Sequence, residues 1–322
     1  MIYVIIPVYN GSKYLKRCLD SVCKQTYKNI RVICVNDGST DNSLEILNEY
    51  KHITILSKEN GGLSSARNYG IDSIVNFNEN DWISFIDCDD YVDEDYFEKL
   101  INLADSSGAD IVCSSFYITS NANEKKHTNI EKESLFSSFE ATSILIEDKS
   151  LQSHAWSKLY KLNLFESIRY PENVKFMEDQ CTTYKVFCLA KTIYVSNYCG
   201  YHYWISDTSL IRSNPSSQKM LSALNSYYSV CIYDFNFEEA ENKILVSKAN
   251  DALADCYLMI KSKISKKKLT KGELNSYLSI LAYIKKNKIV RNYHPTRKTS
   301  MKKRFAYLYF RPFYNLLYKL FG

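Results

Sequence analysis

The chain has 322 residues, 45% of them hydrophobic and 24% charged, with a formal net charge of +5. That composition excludes a disordered or collagen-like chain and leaves enough apolar material for one large α/β domain plus a smaller appendage. Its ten cysteines show no C-x-x-C pair and no framework of short spacings, which argues against a disulfide scaffold or zinc site and suits a reducing compartment.

Ile2 to Ile6 reads as a first buried strand stopped by Pro7. No run of about 18 apolar residues follows and no signal peptide is visible, so no membrane span is expected. Ser12 is the expected cap of a helix that carries Leu15, Leu19 and Val22 on one face. Ile30 to Val35 is a second strand, ending in Asn36-Asp37-Gly38-Ser39, with a helix through Leu44, Ile46 and Leu47 behind it. Ile53 to Leu56 is a third strand, and Lys58-Glu59-Asn60-Gly61-Gly62 leads into a helix from Leu63. Trp82 to Ile86 is the fourth, followed by a helix through Phe97, Leu100, Ile101 and Leu103, and Ala109 to Ile118 supplies a fifth. Strands alternating with helices at this spacing imply a mostly parallel sheet with helices on both faces. Residues 120–134 read as a polar loop, Leu135 to Ile146 and Asp179 to Leu189 as helices, Thr192 to Val195 as a strand, and the chain from about Ser217 as purely helical.

The fourth strand carries the strongest chemical signal. Its apolar run ends in Asp87-Cys88-Asp89-Asp90, three carboxylates within four positions. Carboxylates this close repel unless a cation neutralises them, and Mg²⁺ or Mn²⁺ held by one or two carboxylates and completed by phosphate oxygens is the usual solution. A plain strand end before the acidic helix start Asp93-Glu94-Asp95 is the competing reading. Pro7-Val8-Tyr9-Asn10 and Asp37-Gly38 lie at the same carboxyl edge, where Asp37 offers an acceptor to a uracil imide N–H and Tyr9 a face for base packing. Turn chemistry explains an Asp-Gly-Ser equally well. Asn60-Gly61-Gly62 lets backbone approach a ligand, and the helix behind it favours phosphate, with Arg67 placed to pair with a diphosphate or a neighbouring acid. The stretch is neither a Walker loop nor a dinucleotide fingerprint.

In order, the chain carries V-I-I-P-V-Y-N, V-N-D-G-S-T-D, K-E-N-G-G-L-S-S-A-R-N and F-I-D-C-D-D. This series resembles the family 2 glycosyltransferases over roughly residues 1 to 205. The resemblance implies a GT-A fold, a Rossmann-like mixed and mostly parallel sheet flanked by helices, here with a C-terminal α-helical extension. It divides the chain into a transferase domain over 1–213 (donor half about 1–118, acceptor half about 119–213) and a helical region over 214–322. It implies an inverting transfer from a nucleotide sugar, with UDP expected, although Asn36 stands where the family commonly has another Asp. Asp89 then belongs to the divalent metal, Mn²⁺ or Mg²⁺. Pro7, Val8, Tyr9, Asn10, Asp37, Gly38, Asn60, Gly61, Arg67, Asp87 and Cys88 belong to the nucleotide sugar. Phe176-Met177-Glu178-Asp179-Gln180 resembles the family's Glu-Asp motif, which makes Asp179 the general base for the attacking hydroxyl. Trp156 and Glu178 are expected at the acceptor, Trp156 being equally readable as core, and His202 is a candidate to complete the metal shell.

Eleven lysines and arginines follow Glu273 with no acid among them, interleaved from Arg297 with Phe305, Tyr307, Tyr309, Phe310, Phe313 and Tyr314. This tail reads as an interfacial anchor for an anionic membrane surface rather than a nucleic-acid arm, with a helical face packed on the body as the plainer option. The sum is a cytoplasmic enzyme, peripheral on the inner face of the cell membrane. It would act on a glycan or lipid-linked glycan acceptor in cell-surface polysaccharide synthesis, with self-association left open. A sugar nucleotidyltransferase and a non-catalytic scaffold of the same fold are the alternatives.

Overall fold

The structure is a computed structural model and describes residues 1–121, 124–127, 132–147, 150–174, 176–205, 216–261 and 264–289. The basic tail from Arg297 and the expected boundary at 213 lie outside these residues.

β1 (Ile2–Val8) is buried along its whole length, as a strand covered on both faces must be. α1 (Ser12–Cys23) buries Leu15, Cys18, Leu19 and Val22, a stripe at helical spacing. Gly11, not Ser12, is its N-cap residue. The first amides are satisfied from elsewhere: Gly11 N donates to Ser43 Oγ at 2.9 Å and Ser12 N to Asp41 Oδ2 at 3.0 Å. A Cβ at position 11 would stand 2.8 Å from Cys88 Sγ, so glycine is what lets α1 begin against the acidic strand end.

β2 (Ile30–Asp37), α2 (Ser43–Asn48), β3 (Thr54–Lys58), α3 (Leu63–Asp72) and β4 (Trp82–Phe85) complete the first half. β1 lies between β2 and β4 in parallel, Ile5 opposite both Ile33 and Phe85, and β3 flanks β2 with Asp37 opposite Lys58. Four strands therefore release their chains at one edge, where open α/β sheets bind ligands.

The second half adds β5 (Tyr91–Val92), α4 (Tyr96–Ser107), β6 (Ile111–Thr119), β7 (Glu124–His127), β8 (Ser134–Ser137), α5 (Ser138–Leu145), β9 (Lys158–Lys161), α6 (Thr183–Leu189) and β10 (Thr192–Trp204). The sheet runs β3-β2-β1-β4-β9-β6-β10-β5, with β7 on β6 and β8 on β10. β9 is antiparallel to both β4 and β6, so the sheet is mixed. Four expectations are corrected. The segment read as a polar loop contains β7; Leu135 lies in a strand before its helix, which starts at a Ser137–Glu140 capping box. Asp179 opens a 3-10 turn, Asp179–Cys181, and the α-helix begins at Thr183. The last strand extends well beyond Val195 because β6 and β5 continue to pair with it.

By contacts the chain separates into one unit of Met1–Asn214 with Asp234–Leu245 and a second of Pro215–Tyr233 with Val246–Gly322. α7 (Ser217–Cys231), α8 (Glu239–Ile260) and α9 (Lys271–Lys286) supply the helical C-terminal region. Among the described residues no helix is long and apolar enough to cross a membrane.

Candidate active site

The turns after β1 and β2 are tied together. Asn10, at φ +50°, accepts from Thr40 N at 2.8 Å through its side chain and donates its own N–H to Ser39 Oγ at 3.1 Å. Pro7 and Val8 are buried, while Tyr9 is 53% exposed and offers an open aromatic face beside this turn. Gly38 sits at φ +69°, with Asn60 N 2.8 Å from where a Cβ would be. Asp37 is 2% exposed, and its carboxylate accepts from Lys58 Nζ at 2.9 Å, Gly61 N at 3.0 Å and Gly62 N at 2.8 Å. The Asn60 side chain donates to the Asp37 carbonyl at 2.9 Å. The glycine pair thus wraps a carboxylate, and its amides are spent there rather than open to a phosphate. Three donors on a group with about four acceptor positions leave Asp37 room for one more N–H.

The three carboxylates at the end of β4 have separate fates. Asp90 is fully buried, accepting from Tyr201 Oη at 2.6 Å and Trp204 N at 2.7 Å. Burial and the neighbouring Asp89 and Asp87 charges hold it well above the usual carboxylate range, and its two short hydrogen bonds make it a structural group. Asp87 pairs with Arg67 Nη2 at 3.0 Å. Asp89 accepts no hydrogen bond from the side chain or backbone of any other described residue, and burial and the Asp87 charge push it up to about 6. Arg17 Nη2 donates to the Asp89 carbonyl at 2.6 Å, its guanidinium lying between Tyr91 (4.5 Å) and Trp204 (4.2 Å). Among the described residues no group of three His, Cys, Asp or Glu side chains could hold a metal by itself. One carboxylate that accepts no hydrogen bond from another described residue, at the ligand edge of the sheet, nevertheless fits Mg²⁺ or Mn²⁺, which take one or two carboxylates and complete their shell with phosphate and water. Cys88 packs against Gly11, and burial pushes its thiol up.

Arg67 joins the two halves. Its side chain is 1% exposed, and Nη1 donates to Glu178 Oε1 at 2.9 Å and Asp179 Oδ1 at 2.5 Å while Nη2 holds Asp87. The Tyr170 ring lies 5.2 Å from the guanidinium carbon. Asn68 and Tyr170 exchange hydrogen bonds at 2.8 Å in each direction, which pins the segment leading to Glu178 onto α3. Asp179 Oδ2 accepts from Ala155 N at 3.0 Å. Burial, opposed by Arg67 and reinforced by the Glu178 charge, pushes Asp179 up to about 6, and burial also raises Asp87. A single guanidinium faces three carboxylates, so this buried pocket carries excess negative charge.

Two expected contacts are not formed. Trp156 is 7% exposed and stacks with His154 at 3.6 Å, Tyr201 at 4.8 Å and Tyr203 at 5.0 Å. It is a core residue, its faces covered by these rings, and not a floor for a sugar. His202 has Asp93 Oδ1 and Glu124 Oε1 each at 2.9 Å from its two nitrogens and stacks on Tyr91, so it offers no lone pair to a metal. Lys58, Asn68, Ala155 and Tyr201, to which the sequence assigns no role at the site, all contact the acidic residues or their supports. The pairing of Lys58 with Asp37 is the one a parallel register would have suggested.

A family model described as glycosyl transferase family 2 matches residues 3–169. Glycosyltransferase GlyA of Streptococcus pneumoniae serotype 4 is 37% identical over 223 residues, covering 66% of this chain and 31% of GlyA. Minor teichoic acid biosynthesis protein GgaB of Bacillus subtilis is 32% identical over 213 residues, 63% of this chain and 23% of GgaB. The chain matches less than a third of the length of either relative. The crystal structure of S. aureus TarS 1-349 in complex with UDP-GlcNAc superposes with a TM-score of 0.65 at 20% identity, covering 88% of this chain and 80% of that one, a likeness of fold.

Proposed function

The chain belongs to glycosyl transferase family 2, with a GT-A fold, and from that premise we propose that it is an inverting, metal-dependent enzyme moving a sugar from a UDP-sugar to a hydroxyl of a cell-surface polysaccharide or lipid-linked glycan. The observation that carries the reading is the buried Arg67 bridge, which puts Asp87 of the donor motif and Asp179 of the base motif on one guanidinium.

In this mechanism Asp37 accepts the uracil N–H, and Tyr9 covers the base. Asp179 takes the proton of the acceptor hydroxyl as its oxygen attacks the anomeric carbon from the face opposite the diphosphate. Arg67 fixes the direction of that carboxylate and offsets its repulsion from Asp87. Asp89 would hold a divalent cation, which when bound would supply positive charge against the diphosphate leaving group. Glu178 stays on Arg67 and borders the acceptor side. The transferase domain is read as 1–213 and the region after it as an appendage, its basic tail suiting attachment to an anionic membrane face. The name of GgaB, which ties that relative to teichoic acid, supports a cell-surface acceptor.

The test is UDP release from a panel of UDP-glucose, UDP-galactose and their N-acetylated forms with Mn²⁺, the anomer of the product being followed by NMR. Release from at least one donor, with inversion, is the result expected. No metal-dependent release from any sugar nucleotide would overturn the reading.

A further inference from the structure

We propose that Lys158, on β9 and outside the acidic cluster, is a positioning residue for the base: its ammonium gathers the loop 154–157 so that the Ala155 N–H is held on Asp179 Oδ2. The inference rests on the reading of Asp179 as the general base and adds to it the device that orients the carboxylate.

Lys158 is 1% exposed, an unusual position for an ammonium, which is costly to bury unless it is hydrogen-bonded. Its Nζ donates to the His154 carbonyl at 2.6 Å and stands 3.1 Å from His154 Nδ1 and 3.5 Å from the Trp156 carbonyl. The chain therefore turns back around its own lysine. The turn is completed by Ser157 at φ +56°, a left-handed conformation that costs a non-glycine residue about 1 kcal/mol or more and persists where surrounding contacts over-determine it. The base of the loop is fixed to the sheet: Ser84 Oγ donates to the Lys158 carbonyl at 2.8 Å and Ser114 N to the Ser157 carbonyl at 2.9 Å.

What the loop delivers is one residue. The Ala155 carbonyl accepts from Tyr160 Oη at 3.1 Å, and its N–H donates to Asp179 Oδ2 at 3.0 Å. Arg67 holds the other oxygen of the same carboxylate at 2.5 Å. Two donors on two different oxygens oppose rotation about the last carboxylate bond and leave one lone pair on each oxygen, in a fixed direction, for the incoming proton. The charged groups around Asp179 are Arg67 from α3, Glu178 beside it, Asp87 after β4 and Lys158 from β9, with the Tyr160 and Tyr170 hydroxyls nearby. Losing the N–H, or the lysine charge, favours the protonated carboxyl.

The experiment compares Lys158→Met, which keeps the length and removes the charge, with Ser157→Val, which opposes the left-handed turn and leaves Lys158 and Asp179 in place. UDP–Mn²⁺ binding by calorimetry should stay within about twofold of wild type in both, since neither residue touches the donor side. The kcat for UDP release from the accepted UDP-sugar should fall at least about tenfold, and the acidic limb of its pH profile should move up by about one pH unit. Melting curves show whether each variant folds, and if Lys158→Met does not, Ser157→Val carries the test. Wild-type kcat and an unmoved acidic limb in a folded variant overturn the role of Lys158. Asp179→Asn, run alongside, separates the two ideas: turnover surviving in that variant overturns the base itself and the positioning with it.

Discussion

Arg67 and Asp179 meet at 2.5 Å across 112 residues of sequence, and the same guanidinium reaches Asp87 at 3.0 Å. The bridge makes the acidic strand end and the base motif parts of one site. It also makes this junction depend on one buried guanidinium.

Replacing Arg67 by Met leaves three carboxylates facing one another. Removing one partner of a buried ion pair costs about 3–5 kcal/mol, so the variant should melt well below wild type at pH 7. The deficit should shrink as the pH falls below 6, because protonated carboxyls no longer repel. A deficit independent of pH would mean that packing against Tyr170, not charge, is what Arg67 contributes.

Asp179, pushed up to about 6, must be ionised to accept a proton. The rate of sugar transfer should therefore rise with pH through about 6 and level off above it. Stability has the opposite sign. The folded state holds this proton more tightly than the unfolded chain, so the contribution is complete below the ordinary aspartate range and is lost as the pH rises through about 6. Asp179→Asn should remove that part of the pH dependence of melting.

Asp89 and Asp90 are adjacent and should respond in opposite ways. Asp90 is a buried acceptor for Trp204 N and Tyr201 Oη, a role an amide oxygen can take over, so Asp90→Asn is expected to cost no more than about 1–1.5 kcal/mol and to keep Mn²⁺ binding in the presence of UDP. Asp89→Asn should fold as wild type and lose that binding by at least tenfold in a Mn²⁺ resonance titration. Equal losses in the two variants would argue that both carboxylates face the metal.

Much of this site was legible because strands at the centre of a parallel sheet are continuous apolar runs and their ends are abrupt. Val8, Asp37 and Asp87 could be assigned to one edge from that pattern, and the ordered motifs identified the family. The partner of a helical residue 112 positions away leaves no trace in local spacing, so the sequence leaves Arg67 open between a diphosphate and a neighbouring acid. Gly61 and Gly62 read as an approach of backbone to a ligand because glycine reports a close approach and not what approaches; what their amides meet is the Asp37 carboxylate. Trp156 has the composition of a sugar platform, and its coverage by His154 and Tyr201 comes from the sheet. The burial of Lys158 has no local signal, because it comes from β9 being inserted between β4 and β6.

Gly38→Ala tests the tie between the second turn and the loop that follows β3. The left-handed backbone and the 2.8 Å approach of Asn60 N leave no place for a methyl group. A loss of about 1–3 kcal/mol in stability is expected, with weaker UDP binding because Asn60 and Asp37 are displaced together. Unchanged affinity for UDP would remove this turn from the nucleotide site.

The central claim is that Asp179 accepts the acceptor proton in a pocket that also holds the donor. Its most direct test is sugar transfer by Asp179→Asn, measured beside UDP–Mn²⁺ affinity in the same preparation. The account predicts a fall in kcat of about a hundredfold or more with donor-side affinity unchanged. Transfer at wild-type rate by a folded Asp179→Asn protein would contradict it.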